Sequence, residues 1–358
     1  MGPETRPDGR TRPGDQTGAG AGPGTAREAR CEAGGVRLPR VLLRVLVLLL
    51  LALLALRLLG GERGTLTVLL VGALPLTLLP AGPALLAGLL LRDRVVVAGA
   101  ALLVAGQALV VAPALSARPL SAAAREAPRL RVVVANLYVL NQEPQRTGEA
   151  LRLLRPDVLL VPELDADGLA GLRASGLLDD LPLSVVDDGA RSETVGLFSR
   201  LPLVDPELHR AGSRVLPNAT VRVGTVDVRV LGAHTLPPVS VLQVPWRAGL
   251  RDLEREVRAS EPPVVLLGDL NADRDSAAFR RLLSAGLRDA HDERGRGLAR
   301  TWPAGFPLLQ LDHVLVRDGR GGGLEVVDVR EARLPGTDHR AVVADLAVVP
   351  WSTPSGPS

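Results

Sequence analysis

Lysine is missing from this 358-residue sequence, cysteine and methionine occur once each, and tryptophan, tyrosine and phenylalanine together make up only 2% of it. A single cysteine, Cys31, cannot pair within the chain, so disulfides are no part of the fold and a thiolate zinc centre is excluded. Cys31 sits in a Gly/Pro/Arg-rich stretch without the apolar run that precedes a lipid-modified cysteine, and reads as a free thiol. The 42 basic residues are all arginine, a coding bias and no chemical message. They are unevenly spread: the excess lies before about residue 128, and the part after it is slightly acidic, with no clustered stripe of the kind a nucleic-acid groove needs.

Long apolar runs, by contrast, are present. Residues 1–36 hold almost no large apolar side chain, cannot offset chain entropy by burial, and are expected to be a disordered tail. Residues 37–115 read as a transmembrane region of about three helices, 41–59, 65–91 and 95–115, each near the ~20 residues that cross a bilayer core. The first run lies too far from the start, without a small-residue cleavage site, to be a signal peptide. Arg37, Arg40 and Arg44 precede the first run, and Arg92 and Arg94 separate the second and third. By the positive-inside rule both groups belong in the cytoplasm, so that the third span exits outward and the rest of the chain is extracytoplasmic. The prolines Pro75, Pro80 and Pro83 leave open whether the second run is one span, and with it the sidedness.

Residues 116–129 read as a tether, 130–350 as one α/β domain and 351–358 as a disordered tail. In the domain, β-branched or alternating runs bounded by Gly, Pro and Asp predict strands over 130–139, 157–164, 194–200, 225–235, 263–271, 311–316, 324–332 and 339–349. Trp246, Leu250, Leu253 and Val257 recur on one helical face, and Phe279, Leu282 and Leu283 follow a candidate N-cap at Ser276.

Polar residues punctuate the ends of these strands. "VVVAN" ends in Asn136, "DVLLVPE" in Glu163 and "VRVLGAH" in His234; "VVLLGDLN" ends in Asp269 and Asn271, which a period of two puts on one face. Asp312 opens "LDHVLV", and Asp338 and His339 stand before the last strand. Singly, such residues are ordinarily turn formers or solvated pairs; jointly, they can converge on one rim of a sheet. His313 alternates away from Asp312 and reads as structural, His209 and His291 as surface residues, and Trp302 as packing beneath the site.

The ordered set "VVVAN", "PDVLLVPEL", "GAHT", "GDLNA", "TWPAGFPLLQLDHVLV" and "GTDHRAVV" resembles the endonuclease/exonuclease/phosphatase superfamily over roughly 128–350. The resemblance implies a four-layered α/β sandwich, two packed β-sheets flanked by helices, and a metal-dependent phosphoesterase. It casts Asn136, Glu163 and Asp338 as metal-site residues, with Pro162 where the family more often has Gln. His234 corresponds to the histidine on the scissile phosphate, Asp269 to the residue that deprotonates water, Asn271 to a phosphate-binding amide, and Asp312 with His339 to a carboxylate–imidazole pair. Hard oxygen ligands suit Mg²⁺, with Mn²⁺ as the alternative ion. The partners expected are a phosphodiester, either nucleic acid or phospholipid, and the lipid bilayer; no protein partner is legible. A contrasting expectation is a non-catalytic, membrane-bound module that binds a phosphorylated partner through the same rim.

Overall fold

The computed structural model describes residues 24–62, 64–187 and 194–351, with side chains from residue 38 onward. Residues 1–23, Cys31's side chain and the expected tail beyond Trp351 lie outside it. The chain runs through α1 (Gly24–Leu59), α2 (Thr65–Gly72), α3 (Leu78–Leu90), α4 (Arg94–Val111) and α5 (Ala122–Glu126). There follow β1 (Arg129–Val134), α6 (Pro144–Leu153), β2 (Val158–Leu164), α7 (Ala166–Ala174), α8 (Leu177–Asp180), β3 (Leu183–Val186), β4 (Thr194–Ser199), β5 (Leu203–Ala211), β6 (Arg214–Val223) and β7 (Val226–His234). The remainder is α9 (Gln243–Ala259), β8 (Val264–Asp269), α10 (Ala277–Leu283), β9 (Arg288–Asp289), α11 (Ala290–Glu293), β10 (Asp312–Arg317), β11 (Gly322–Arg333) and β12 (Arg340–Pro350).

Alternation along the strands builds two six-stranded mixed sheets, ordered β11-β12-β1-β2-β4-β3 and β5-β6-β7-β8-β10-β9. Leu130, Val132 and Val134 of β1 join Val228, Val230 and Leu266 in the core between the sheets, while Val133, one residue out of phase, faces Leu151 of α6 and Leu172 of α7. On the far side, Trp246, Leu250, Leu253 and Val257 bury the predicted face of α9, and Ser276 caps α10 through the Phe279 amide. The result is the expected four-layered sandwich.

The N-terminal region differs from expectation in three ways. α1 begins at Gly24, inside the stretch expected to be a disordered tail, where "TAREAR" is rich in good helix formers. The second apolar run is broken: α2 and the segment Leu74–Leu90 meet at 60°. Pro75 is the cause, because its ring has no N–H to donate and collides with the carbonyl one turn back. Leu38–Leu59 and Arg94–Leu115 are each long and apolar enough to cross a membrane, and the bent pair makes a third crossing if it is one span. Lastly, the 116–129 tether is pinned to the sandwich, with Arg118 paired to Glu293 at 3.1 Å and Ser121 Oγ donating to Glu325 at 2.5 Å.

One end of the helical region grips the sandwich. Arg57 forms an ion pair with the fully buried Asp275 at 2.8 Å, and Arg280 donates to the Arg57 carbonyl at 2.6 Å. The Glu62 carboxylate accepts the Ala277 amide at 2.9 Å, and Thr65 Oγ1 accepts the Ser240 amide at 2.8 Å. Val68 of α2 belongs to the main core of the sandwich, and a Cβ on Gly72 would lie 3.2 Å from Leu309 and 3.3 Å from Asp273. At the opposite end the two arginine groups come together: Arg40 donates to the Leu91 carbonyl at 2.9 Å and Arg44 pairs with Asp93 at 3.0 Å.

Candidate active site

Six strands, three from each sheet, deliver polar side chains to one end of the sandwich. β1 is parallel to β2 and β7 to β8, so their C-terminal ends coincide; β10 and β12 run antiparallel and present their N-terminal ends there. In the second sheet His234 and Asp312 both lie opposite Asp269, across β7–β8 and β10–β8. That close approach needs Gly268, whose φ is 155° and whose Cβ, if present, would sit 1.8 Å from the Ala233 carbonyl oxygen.

Asn136 links the two sheets. Its Nδ2 donates to Glu163 Oε1 at 2.9 Å and to Asp269 Oδ2 at 3.0 Å, while its Oδ1 accepts the Tyr138 amide at 2.9 Å. His339 Nδ1 lies 2.8 Å from Asp312 Oδ2, and its Nε2 is 3.9 Å from Asp269 Oδ2. His234 Nε2 is 3.9 Å from Glu163 Oε1. Asn136, His234, Asp269, Asp312 and His339 are buried and Glu163 is half-buried. Seven of the eight predicted residues thus form one cluster. Asp338 is bonded to no other member: its Oδ2 accepts the Trp302 indole N–H at 3.1 Å, while its Oδ1 is buried without a partner among the described residues and its charge acts on His339.

Asn271 arrives by a route that the period of two did not anticipate. β8 ends at Asp269, and Asn271 has a φ of 46°, so a turn and no strand places it. Its amide N–H donates to Asp269 Oδ1 at 2.8 Å and its Nδ2 to the Thr235 carbonyl at 2.9 Å. Glu163 also has a positive φ, 55°, at a register shift between β2 and β4. Two non-glycine residues held this way in one cluster are backbone strain at the site.

Sequence reasoning missed two positioning residues. Thr337 donates to the Asn136 carbonyl at 2.8 Å and accepts the His339 amide at 3.1 Å; Thr301 Oγ1 accepts the amides of Leu311 and Asp312 at 3.0 and 3.2 Å. Both stand inside the motifs, Thr337 beside Asp338 in "GTDH" and Thr301 at the head of "TWP". His291, expected at the surface, is fully buried: Glu331 reaches it from β11, 40 residues on, and Asp289, two residues before it, lies beside its ring. His313 is structural as expected, bonded to Asp289 at 2.7 Å.

Electrostatics separate the titrating groups. Burial lowers a histidine, but the Asp312 and Asp269 carboxylates outweigh it at His339 and raise its pKa to about 10, so it is an imidazolium at neutral pH. Burial, with the positive charges of Arg214 and His339, pushes His234 down to about 3 and keeps it neutral. Burial and the neighbouring Asp312 raise Asp269 to about 7 against the pull of His339, which suits a group that takes and returns a proton.

The ligand atoms of Glu163, His234 and Asp269 lie within 4.8 Å of one another, as do those of Asp269, Asp312 and His339. The first set fits a divalent cation: two carboxylates face each other across one amide, and His234 turns Nε2 toward Glu163 Oε1 at 3.9 Å.

No curated protein sequence matches the chain. Solved structures of the same fold include TDP2 of D. rerio complexed with single-strand DNA product (16% identity, 61% of this chain, 98% of that one, TM-score 0.52). Humanized D. rerio TDP2 is similar at 17% identity, with the same coverages and a TM-score of 0.51. C. elegans TDP2 is similar at 15% identity, over 72% of this chain and 84% of that one, with a TM-score of 0.50. A sequence profile matches residues 133–339, a stretch that opens on the strand before Asn136 and closes on His339 itself; the chain belongs to the endonuclease/exonuclease/phosphatase family.

Proposed function

We propose that this protein is a membrane-anchored, metal-dependent phosphodiesterase that uses water as its nucleophile. The observation that carries this reading is the placement of Asp269 between a charged Asp312–His339 pair and the Glu163–Asn136 pair, within hydrogen-bond reach or 3.9 Å of each. Glu163 and Asp269, with His234 beside them, would hold the cation, Mg²⁺ on the strength of the oxygen donors, and the cation would offset the negative charge of the phosphodiester. Asp269, fixed through both oxygens, accepts a proton from the attacking water. His339, held by Asp312, presents an imidazolium N–H to the negative charge that builds on phosphorus oxygens, and the Asn271 amide binds oxygen without adding repulsion. Asp338 steadies Trp302 at the edge of this cluster.

Anchoring is supported by the helices and their ends. Both arginine groups share the end of the helical region away from the sandwich, as three crossings and the positive-inside rule require, which supports an extracytoplasmic sandwich. The family and the DNA product bound to its D. rerio neighbour support a phosphodiester as substrate.

The test is hydrolysis of bis(p-nitrophenyl) phosphate by the full chain in detergent. Activity is expected with Mg²⁺, lost with chelator, and lower by ~10² to 10³ in Asp269→Asn. Unchanged activity in that variant would refute the assignment.

A further inference from the structure

The rim of the site is uncharged and apolar in three of its loops. Residues 135–142, after β1, 235–246, after β7, and 302–310, before β10, contain no charged residue, although the chain has 42 arginines to place. A groove for a polyanion puts cationic side chains there to meet successive phosphates. Instead these loops expose Leu140, Val239, Val244 (73% exposed), Val241 (82%) and Phe306 (77%). Large apolar groups that open to water are costly unless something apolar covers them.

What covers them is indicated by where two of the loops lead. The loop after β7 is bonded to Thr65 at the start of α2, and the loop before β10 lays Leu309 against Gly72 at its end. α2 itself exposes Leu66, Leu69 and Leu70. An apolar surface therefore runs from the helical region onto the mouth of the site, and Asp273, packed under Gly72, lies only two residues beyond Asn271.

We infer that this mouth rests on the bilayer and that the substrate is a membrane lipid whose headgroup carries the reacting phosphodiester. The inference rests on the phosphodiesterase reading above and names its substrate class. The acyl chains stay in the bilayer against the apolar loops, while the phosphate, the most polar part of the lipid, enters the cluster around Asp269. Water adds its oxygen to phosphorus and gives one proton to Asp269. The bond from phosphorus to one ester oxygen breaks, that oxygen takes a proton from solvent while Asp269 returns its own to solvent, and the products are an alcohol and a phosphomonoester.

The experiment uses the full chain in vesicles of phosphatidylcholine, phosphatidylethanolamine and phosphatidylglycerol, with Mg²⁺. Release of alcohol or phosphomonoester from these lipids is compared with cleavage of a single-stranded DNA oligonucleotide and of bis(p-nitrophenyl) phosphate. Wild-type protein should turn over a vesicle lipid and leave the oligonucleotide whole. Val241→Asp and Phe306→Asp each remove about one buried side chain's worth of interfacial contact and should lower lipid turnover about tenfold. Their unchanged hydrolysis of the soluble diester shows that the site is still folded. Lipid turnover that survives both substitutions overturns the inference, as does an oligonucleotide cleaved in vesicles whose lipids stay intact. If the soluble diester alone is hydrolysed, the substrate class fails and the phosphodiesterase stands; if nothing is hydrolysed, both fall.

Discussion

Asp312 and His313 are neighbours on β10, yet they serve carboxylate–imidazole clusters on opposite faces of the same sheet. Asp312 belongs to the site and holds His339. His313 bonds Asp289 at 2.7 Å and the Ala272 carbonyl at 3.0 Å, under the ring of Phe279 at 4.4 Å. His291 completes this second cluster, with Glu331 at 2.7 Å and Gln310 at 3.0 Å. Every imidazole nitrogen there has a partner, and no residue of it has a positive φ. In the site, His234 Nδ1 and Asp312 Oδ1 are buried without a partner among the described residues, and Glu163 and Asn271 hold left-handed backbone. Residue type does not separate the two clusters, and each holds a buried atom without a partner among the described residues, Gln310 Oε1 in the second; an unpaired imidazole nitrogen and backbone strain do separate them. The imidazoles of one cluster are closed in by partners, and His234 of the other is not.

The sharpest way to break that comparison is to exchange acid for amide on each side. Asp312→Asn should lower kcat per folded molecule by ~10², because the loss falls on transition-state charge as well as on the buried pair with His339. Asp289→Asn should do the reverse, costing ~3–5 kcal/mol of stability because two buried imidazoles lose their carboxylate, with kcat per folded molecule preserved. Thermal melts and single-turnover rates on the two variants check both. A kcat loss in Asp289→Asn at full folding would join the clusters into one.

A smaller effect distinguishes them by pH. Without a cation Asp269 ionises through about 7, and a cation held beside it pulls that lower; on the alkaline side activity should fall as His339 loses its proton near about 10, which kcat/KM against pH reads. The closed cluster acts on stability. His291 is raised from 6.5 to about 9, so its contribution is complete below 6.5 and is lost as pH rises through about 9. Asp289 is held far below its usual 3.8 by hydrogen bonds to His291 and His313, which outweigh its burial; its contribution is present above 3.8 and is lost as pH falls below it. Melting temperature against pH should therefore peak between those limits and flatten on the alkaline side in His291→Gln.

The smallest expected effect lies at Thr337→Val, which removes one hydroxyl that ties the mouth of β12 to Asn136. A cost of about 1 kcal/mol in stability is expected. If His339 also drifts, the alkaline limb of the activity profile moves down in pH, since the imidazolium loses its hold on Asp312.

The strands that carry the site were legible because each has a long apolar run and a polar stop. β5 was not: it is an exposed edge strand with Pro206 and several charges, and its pattern carries little burial signal. β6 contains Pro217, and β9 spans only two residues. The site residues were legible for the same reason as their strands, whereas the turn at Asn271 and the bond between Asp338 and Trp302 depend on contacts made across the fold. His291 shows the same limit, since Asp289 stands two residues before it but Glu331, its other acidic partner, reaches it from β11.

The ion pair between Arg57 and Asp275 means that the sandwich offers no clean place to be cut away from its helices. A fragment that starts at residue 128 would lose the guanidinium on a buried acid, the carboxylate that receives the Ala277 amide, and Val68 from the core, all within a few residues of Asn271. Whatever the N-terminal helices do for location, they also buttress the segment that follows Asn271.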